Sequence, residues 1–320
     1  MPAPRPPGSR PSCSRAAHSA PAHPPHICVA ARSARCPRPG RTRSALPALA
    51  ESVSRHPVLV FVALAFGFGW SLELLGRALG GNAGEALRVA AGLAPSLAGL
   101  GAAWLCGGRA ELRALVSQAL RWRVEPYWYG IALLGPVLLW WIAFAYIAAV
   151  RPYSPVDTAG FATFFPLIAS QLALGGGFGE ELGWRGFLQS MLERRRSVVS
   201  ASLAVGVIWA LWSAPDLLLP NEGAGGVTRF LLFPGLCIAY SLIFGRVLQA
   251  THGSVLIVAL LHASINAAEP TWRAAVPSLS DSSAVSLAHA AYTLFLALVA
   301  VFARAGARAG DGKRSLDDSA

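Results

Sequence analysis

From residue 56 onward the chain is built of apolar runs about twenty residues long, too long and too uniform for the buried face of a soluble helix. Eight such segments follow one another: 57–76, 86–106, 126–150, 161–191, 198–219, 229–250, 253–269 and 283–304. A run of that length satisfies all its backbone polar groups internally when it coils, which is the condition for crossing hydrocarbon. The expected fold is therefore all-α, an integral membrane bundle of about eight transmembrane helices. Composition agrees: only 13% of residues are charged, against about 25% in soluble domains. Segment 107–125 is amphipathic and charged, so it is expected to lie in the membrane interface rather than to span.

The basic residues alternate with the segments. Arg109, Arg113, Arg121 and Arg123 fall in one loop, Arg194, Arg195 and Arg196 in another, Arg246 in a turn, and Arg304, Arg308, Lys313 and Arg314 at the tail. The intervening loops carry few. Every second loop is basic, as the positive-inside rule requires of eight spans with both termini cytoplasmic. The expected location is multi-pass, in the plasma membrane of a bacterium or in an organellar membrane, with membrane lipids as surroundings.

Residues 1–55 are of another kind. They hold nine arginines, one acid (Glu51) and eleven of the 23 prolines, and account for +8 of the net charge of +11. Without a sustained apolar run they cannot offset ordering entropy, so disorder is expected. They read as a transit peptide or as an over-extended start, and lack the apolar core of a secretory signal. They contain no Trp, Tyr or Phe, so a nucleic-acid role is not expected. The domain reading is an extension over 1–55, a transmembrane domain over 56–306 and a cytoplasmic tail over 307–320. None of the five cysteines forms a C-x-x-C pair.

Ionisable groups inside spans are costly and are functional candidates by default. They concentrate in three places. Glu180 and Glu181 adjoin in segment 161–191, after Gly175, Gly176, Gly177 and Gly179 and before Arg185. Glu181 and Arg185, four apart, share a helix face and can pair. Glu180 points about 100° away around the helix and is left for other work, such as acting as general base on water. His262 and Asn266 are also four apart, on one face, and both residue types donate hydrogen bonds that suit an oxyanion. Trp209, Ser213, Pro215 and Asp216 lie in segment 198–219, where Pro215 frees the Leu211 carbonyl and opens the helix. At about 1.5 Å per residue, Glu180 and His262 fall near the bilayer middle and Ser213 somewhat beyond it, so the three segments are expected to face one polar cavity. Each group also has a plain reading: a structural Glu–Arg clamp, a core histidine, and an interfacial aromatic belt.

These residues resemble the CPBP family, the CAAX proteases and bacteriocin-processing proteins, also called type II CAAX endopeptidase-like or Abi proteins. Glu180-Glu181-x-x-x-Arg185 and His262-x-x-x-Asn266 match two of the family's motifs, and Thr251-His252-Gly253-Ser254 resembles the lead-in to the second. The resemblance covers roughly residues 160–270. It implies an intramembrane endopeptidase acting on a peptide or protein substrate, with Glu180 as base, Glu181 and Arg185 orienting it, and His262 and Asn266 at the oxyanion. One position departs: Trp209-x-x-x-Ser213 keeps the aromatic residue but has serine where the family has histidine. The family name also admits a divalent metal such as zinc, with Glu180 and His262 as candidate ligands. Serine is a poor ligand and cannot take up a proton near neutral pH, which weakens that branch. The alternative is a catalytically impaired member acting as a membrane scaffold or peptide-binding protein. A carrier would be expected to show an internal repeat, and the two halves show none.

Overall fold

The computed structural model describes residues 55–150, 156–218, 226–277 and a few helical positions between 287 and 298. All but the last residue of the N-terminal extension, most of segment 283–304, and the tail lie outside them. The described residues are mostly helical, with no strand among them, and the chain is an all-α integral membrane bundle. The helices are α1 Pro57–Leu79, α2 Gly81–Ala91, α3 Ala94–Ala119, α4 Tyr127–Val150, α5 Phe164–Leu174, α6 Phe178–Glu181, α7 Ser190–Glu193, α8 Val198–Trp212, α9 Ala214–Leu218, α10 Gly226–Ala250 and α11 Val255–Ala275. A 3₁₀ turn, Thr158–Thr163, precedes α5, and a π-helical stretch, Leu182–Gln189, joins α6 to α7.

Among the described residues five helical stretches are long and apolar enough to cross a membrane, or six if one bent pair counts as a single span. Of the eight expected segments, 283–304 lies mostly outside the described residues, and two others depart from a single long rod for local reasons. Segment 86–106 does not run as one rod: α2 and α3 meet at a bend of 45° around Gly92 and Leu93. The 107–125 segment is set apart by Gly108, whose φ of 63° is open to glycine without strain and kinks α3 there. α8 is only 15 residues, about 22 Å, shorter than the roughly 30 Å of a hydrocarbon core. α11 is longer than the 253–269 run suggests.

Small residues set the close crossings, as in membrane bundles generally. A Cβ on Gly99 would lie 2.9 Å from the Gly183 Cα, and one on Gly183 would run into the Pro95 carbonyl, so α3 and the π-helical stretch touch backbone to backbone. Gly206 does the same for α8 on α10, where a Cβ would meet the Ile238 Cα at 2.7 Å. α11 is the innermost span: 67% of its apolar window is buried inside the protein, against 22% for α1. Outward faces such as Leu64, Phe68 and Leu75 of α1 are exposed. The turn into α11 is tight. His252 and Gly253 both have positive φ, and Ser254 caps α11 by accepting from the Ile257 N–H while donating to the Arg121 carbonyl.

Candidate active site

Segment 161–191 breaks where its glycines cluster. α5 ends at Gly175 and α6 starts after Gly177, and the N–H groups of both glycines donate to the Gln171 carbonyl. Side chains do not fit in this turn: a Cβ on Gly177 would meet the Leu172 Cα at 2.6 Å, and one on Gly176 would lie 2.6 Å from His262 Cε1 and 2.7 Å from Asn266 Nδ2. Glycines in membrane bundles commonly allow close helix approach. Gly176 has a more specific consequence, since its missing side chain lets His262 and Asn266 reach the head of α6.

The two adjacent glutamates then diverge, as their 100° separation requires. Glu181 and Arg185 are fully buried and pair at 2.9 Å between Glu181 Oε1 and Arg185 Nη1. The same carboxylate oxygen lies 2.6 Å from His262 Nδ1. Glu181 therefore binds α11 to the π-helical stretch and aims the imidazole. The Arg185 guanidinium rests against the Trp209 and Phe244 rings, 5.0 and 4.7 Å from their centroids. His262 packs edge-on to Trp209 at 5.2 Å. Trp209 thus supports both partners of Glu181, which the aromatic-belt reading did not foresee.

Glu180 faces the other way. Its Oε2 accepts a hydrogen bond of 3.0 Å from the Trp184 indole N–H, one turn on. Glu180 is thus bonded to Trp184, while Glu181 is bonded to Arg185 and His262. The spacing of four between Glu180 and Trp184 was the available signal. Ser213 is buried at the C-terminal end of α8, and its hydroxyl donates to the Trp209 carbonyl at 3.1 Å. Its proton is committed to backbone, and what it can offer a ligand is a lone pair. The end of α8 is fixed to α1, because Trp70 Nε1 donates to the Trp212 carbonyl and Trp212 Nε1 to that of Ala65. Asp216 pairs with Arg77 at 2.7 Å. Asn266 donates from Nδ2 to Gln171 Oε1 at 3.2 Å, a partner that no spacing rule singles out.

One cavity of about 450 Å³ gathers these groups. Glu180, Ser213, His262 and Asn266 line it together with Trp140, Trp209, Trp212 and Tyr240. Glu73, Arg88 and Asp216 line it as well, within an ionic group in which Glu73 accepts from both Arg77 and Arg88. Its wall is thus apolar and aromatic with a few converging polar groups, the usual make-up of a ligand site. Among the described residues no three His, Cys, Asp or Glu side chains are placed to hold a metal ion. A hydrolytic zinc wants three good protein ligands and a water, and the described donor set does not meet that requirement.

Comparison with known proteins supports the resemblance read from the motifs. Residues 162–268 match the family model described as Rce1-like, type II CAAX prenyl endopeptidase Rce1-like. Over 62 residues the chain is 39% identical to CAAX prenyl protease 2 of Methanococcus maripaludis, covering 19% of this chain and 22% of that protein. Over 93 residues it is 33% identical to lysostaphin resistance protein A of Staphylococcus haemolyticus, covering 29% and 24%. The matched segments span less than a quarter of either relative's length.

Proposed function

We propose that this chain, Rce1-like over residues 162–268, is an intramembrane endopeptidase that cleaves a peptide bond with glutamate-activated water. The observation that carries the reading is the meeting of Glu180, Ser213, His262 and Asn266, from three separate stretches, in one cavity. Trp184 ties up Oε2 of Glu180, leaving Oε1 to take a proton from water. Ser213, with its own proton on the Trp209 carbonyl, accepts a hydrogen bond from the same water. The water oxygen adds to the substrate carbonyl. The C–N bond then breaks, and the proton held by Glu180 passes to the leaving amine.

The oxyanion falls to His262 Nε2 and Asn266 Nδ2, the two atoms that crowd Gly176. With Nδ1–H given to Glu181, the ring donates through Nε2 only as an imidazolium; neutral, it presents a lone pair there. Glu181, shared between Arg185 and His262, supplies the countercharge. No step is routed through a metal. The substrate is a peptide or protein segment that enters from the membrane, and both termini are read as cytoplasmic, a reading that the alternation of basic loops supports.

A second reading rests on the Ser213 bond. A side chain whose proton is fixed on backbone cannot shuttle protons, and losing one member of a catalytic unit can remove most of the rate. On that reading the cavity binds peptide without cutting it. Purified protein presented with a peptide library separates the two: Glu180-dependent cleavage supports the endopeptidase, and binding without cleavage supports the scaffold.

A further inference from the structure

The π-helical stretch carries a polar column that continues beyond the groups the proposed chemistry uses. Glu181, Arg185, Gln189 and Glu193 follow at intervals of four, so they line one side of it and of α7. The first three are fully buried. Gln189 Nε2 donates to Glu193 Oε1 at 2.8 Å and to the Ser202 hydroxyl at 3.2 Å, and Ser241 Oγ donates to the Ser202 carbonyl. On α10, Gly245 leaves room for this group, since a Cβ there would lie 2.5 Å from Gln189 Nε2. The column starts at the base of the candidate site and ends at the half-buried Glu193, beside the arginine-rich 194–196 loop.

Between its two bonded ends the column is unsatisfied. Arg185 Nε and Nη2, Gln189 Oε1 and Glu181 Oε2 are buried side-chain atoms with no hydrogen-bond partner among the described residues. The Trp209 and Phe244 rings lie over the guanidinium, and they leave its in-plane N–H groups without acceptors. Arg185 and Gln189 are four residues apart, with unused donors on one and an unused acceptor on the other, yet they do not bond each other. Buried polar groups are nearly always hydrogen-bonded, and where protein supplies no partner, ordered water with two to four polar contacts does.

We propose that ordered water bridges the Arg185 guanidinium edge to the Gln189 side-chain carbonyl, making Gln189 a positioning residue for the Arg185–Glu181–His262 chain. The water site stands on burial and hydrogen-bonding capacity alone; its bearing on catalysis rests on the endopeptidase reading. Fixing the guanidinium edge holds Nη1 on Glu181, and Glu181 in turn holds the imidazole. Gln189 acts through Arg185 and does not touch the reacting atoms.

The test is nitrogen-15 NMR on the full chain in lipid nanodiscs, with labelled arginine and histidine. The Arg185 Nε–H signal is assigned by its proximity to the Trp209 and Phe244 ring protons. The expected result is magnetisation transfer from water to that proton in the parent. Gln189→Met, which removes the acceptor at similar length, loses the transfer and displaces the His262 ring nitrogen resonances. Gln189→Glu, which keeps an acceptor, retains the transfer. Absence of transfer in the parent overturns the water site whether or not the variants fold. Unmoved His262 resonances in folded Gln189→Met overturn the positioning role. Neither readout needs peptidase activity, so an inactive parent counts against the proposed function and leaves this test standing.

Discussion

At the scale of single residues, Ser213 is the position on which the endopeptidase and scaffold readings part. Its hydroxyl can accept from a water but cannot receive a proton, and it caps α8 where an imidazole would project into the cavity. Ser213→His is expected to raise cleavage, since proton handling by a positioned imidazole contributes about 10²–10⁴-fold. A peptide-cleavage assay on the purified variant measures it; a folded variant no faster than a slow parent means the rest of the site is not organised for catalysis. Gly176→Ala tests the opposite face. The added methyl meets His262 and Asn266, so those side chains must move. A displacement of about 1 Å at a catalytic group can cost on the order of 10²-fold, and the expectation is a loss of that size in kcat with little change in melting temperature. Equal loss of stability and activity would show that the glycine serves packing alone.

At the scale of elements, the π-helical stretch Leu182–Gln189 is held by two constraints that can be removed separately. One is the Glu181–Arg185–His262 chain, fully enclosed. Glu181→Ala leaves Arg185 and His262 buried without their shared partner, at a cost of roughly 3–5 kcal/mol, visible as a lowered melting temperature in detergent. The other is the backbone contact of Gly183 with Pro95. Gly183→Ala forces α3 and the stretch apart, and overpacking of this kind costs about 1–3 kcal/mol or more. An unchanged melting temperature for either variant contradicts the corresponding contact.

Elements were also where the sequence was most and least legible. The apolar runs announce α1, α4, α10 and α11, because unbroken hydropathy over twenty residues has few alternatives to a buried or spanning helix. The pairings of Glu181 with Arg185, and the shared face of His262 and Asn266, follow from the helical repeat. What hydropathy cannot express is a break inside an apolar run. The bend at Gly92, the kink at Gly108 and the turn at Gly175–Gly177 cost an apolar segment nothing in composition. Contacts between helices distant in sequence were equally hidden: Gln171 with Asn266, and Arg185 with Phe244, obey no spacing rule. The partner of Glu181 across the bundle, His262, was legible as a motif residue but not as the group that Glu181 aims.

At the scale of the whole molecule, the bundle brings Glu180 to a cavity lined by aromatic residues and by polar groups from several helices. α1 fixes the end of α8, α3 seats the π-helical stretch, and α11 presents His262 from the centre. Glu180→Gln keeps size and the Trp184 contact but cannot take a proton from water. The direct measurement is cleavage of a peptide library by the purified full chain in proteoliposomes, parent against Glu180→Gln, with folding of both verified by thermal melting. The account predicts cleavage by the parent that disappears in the variant at unchanged melting temperature. Equal cleavage by both proteins, or none by either on a broad library, would contradict it.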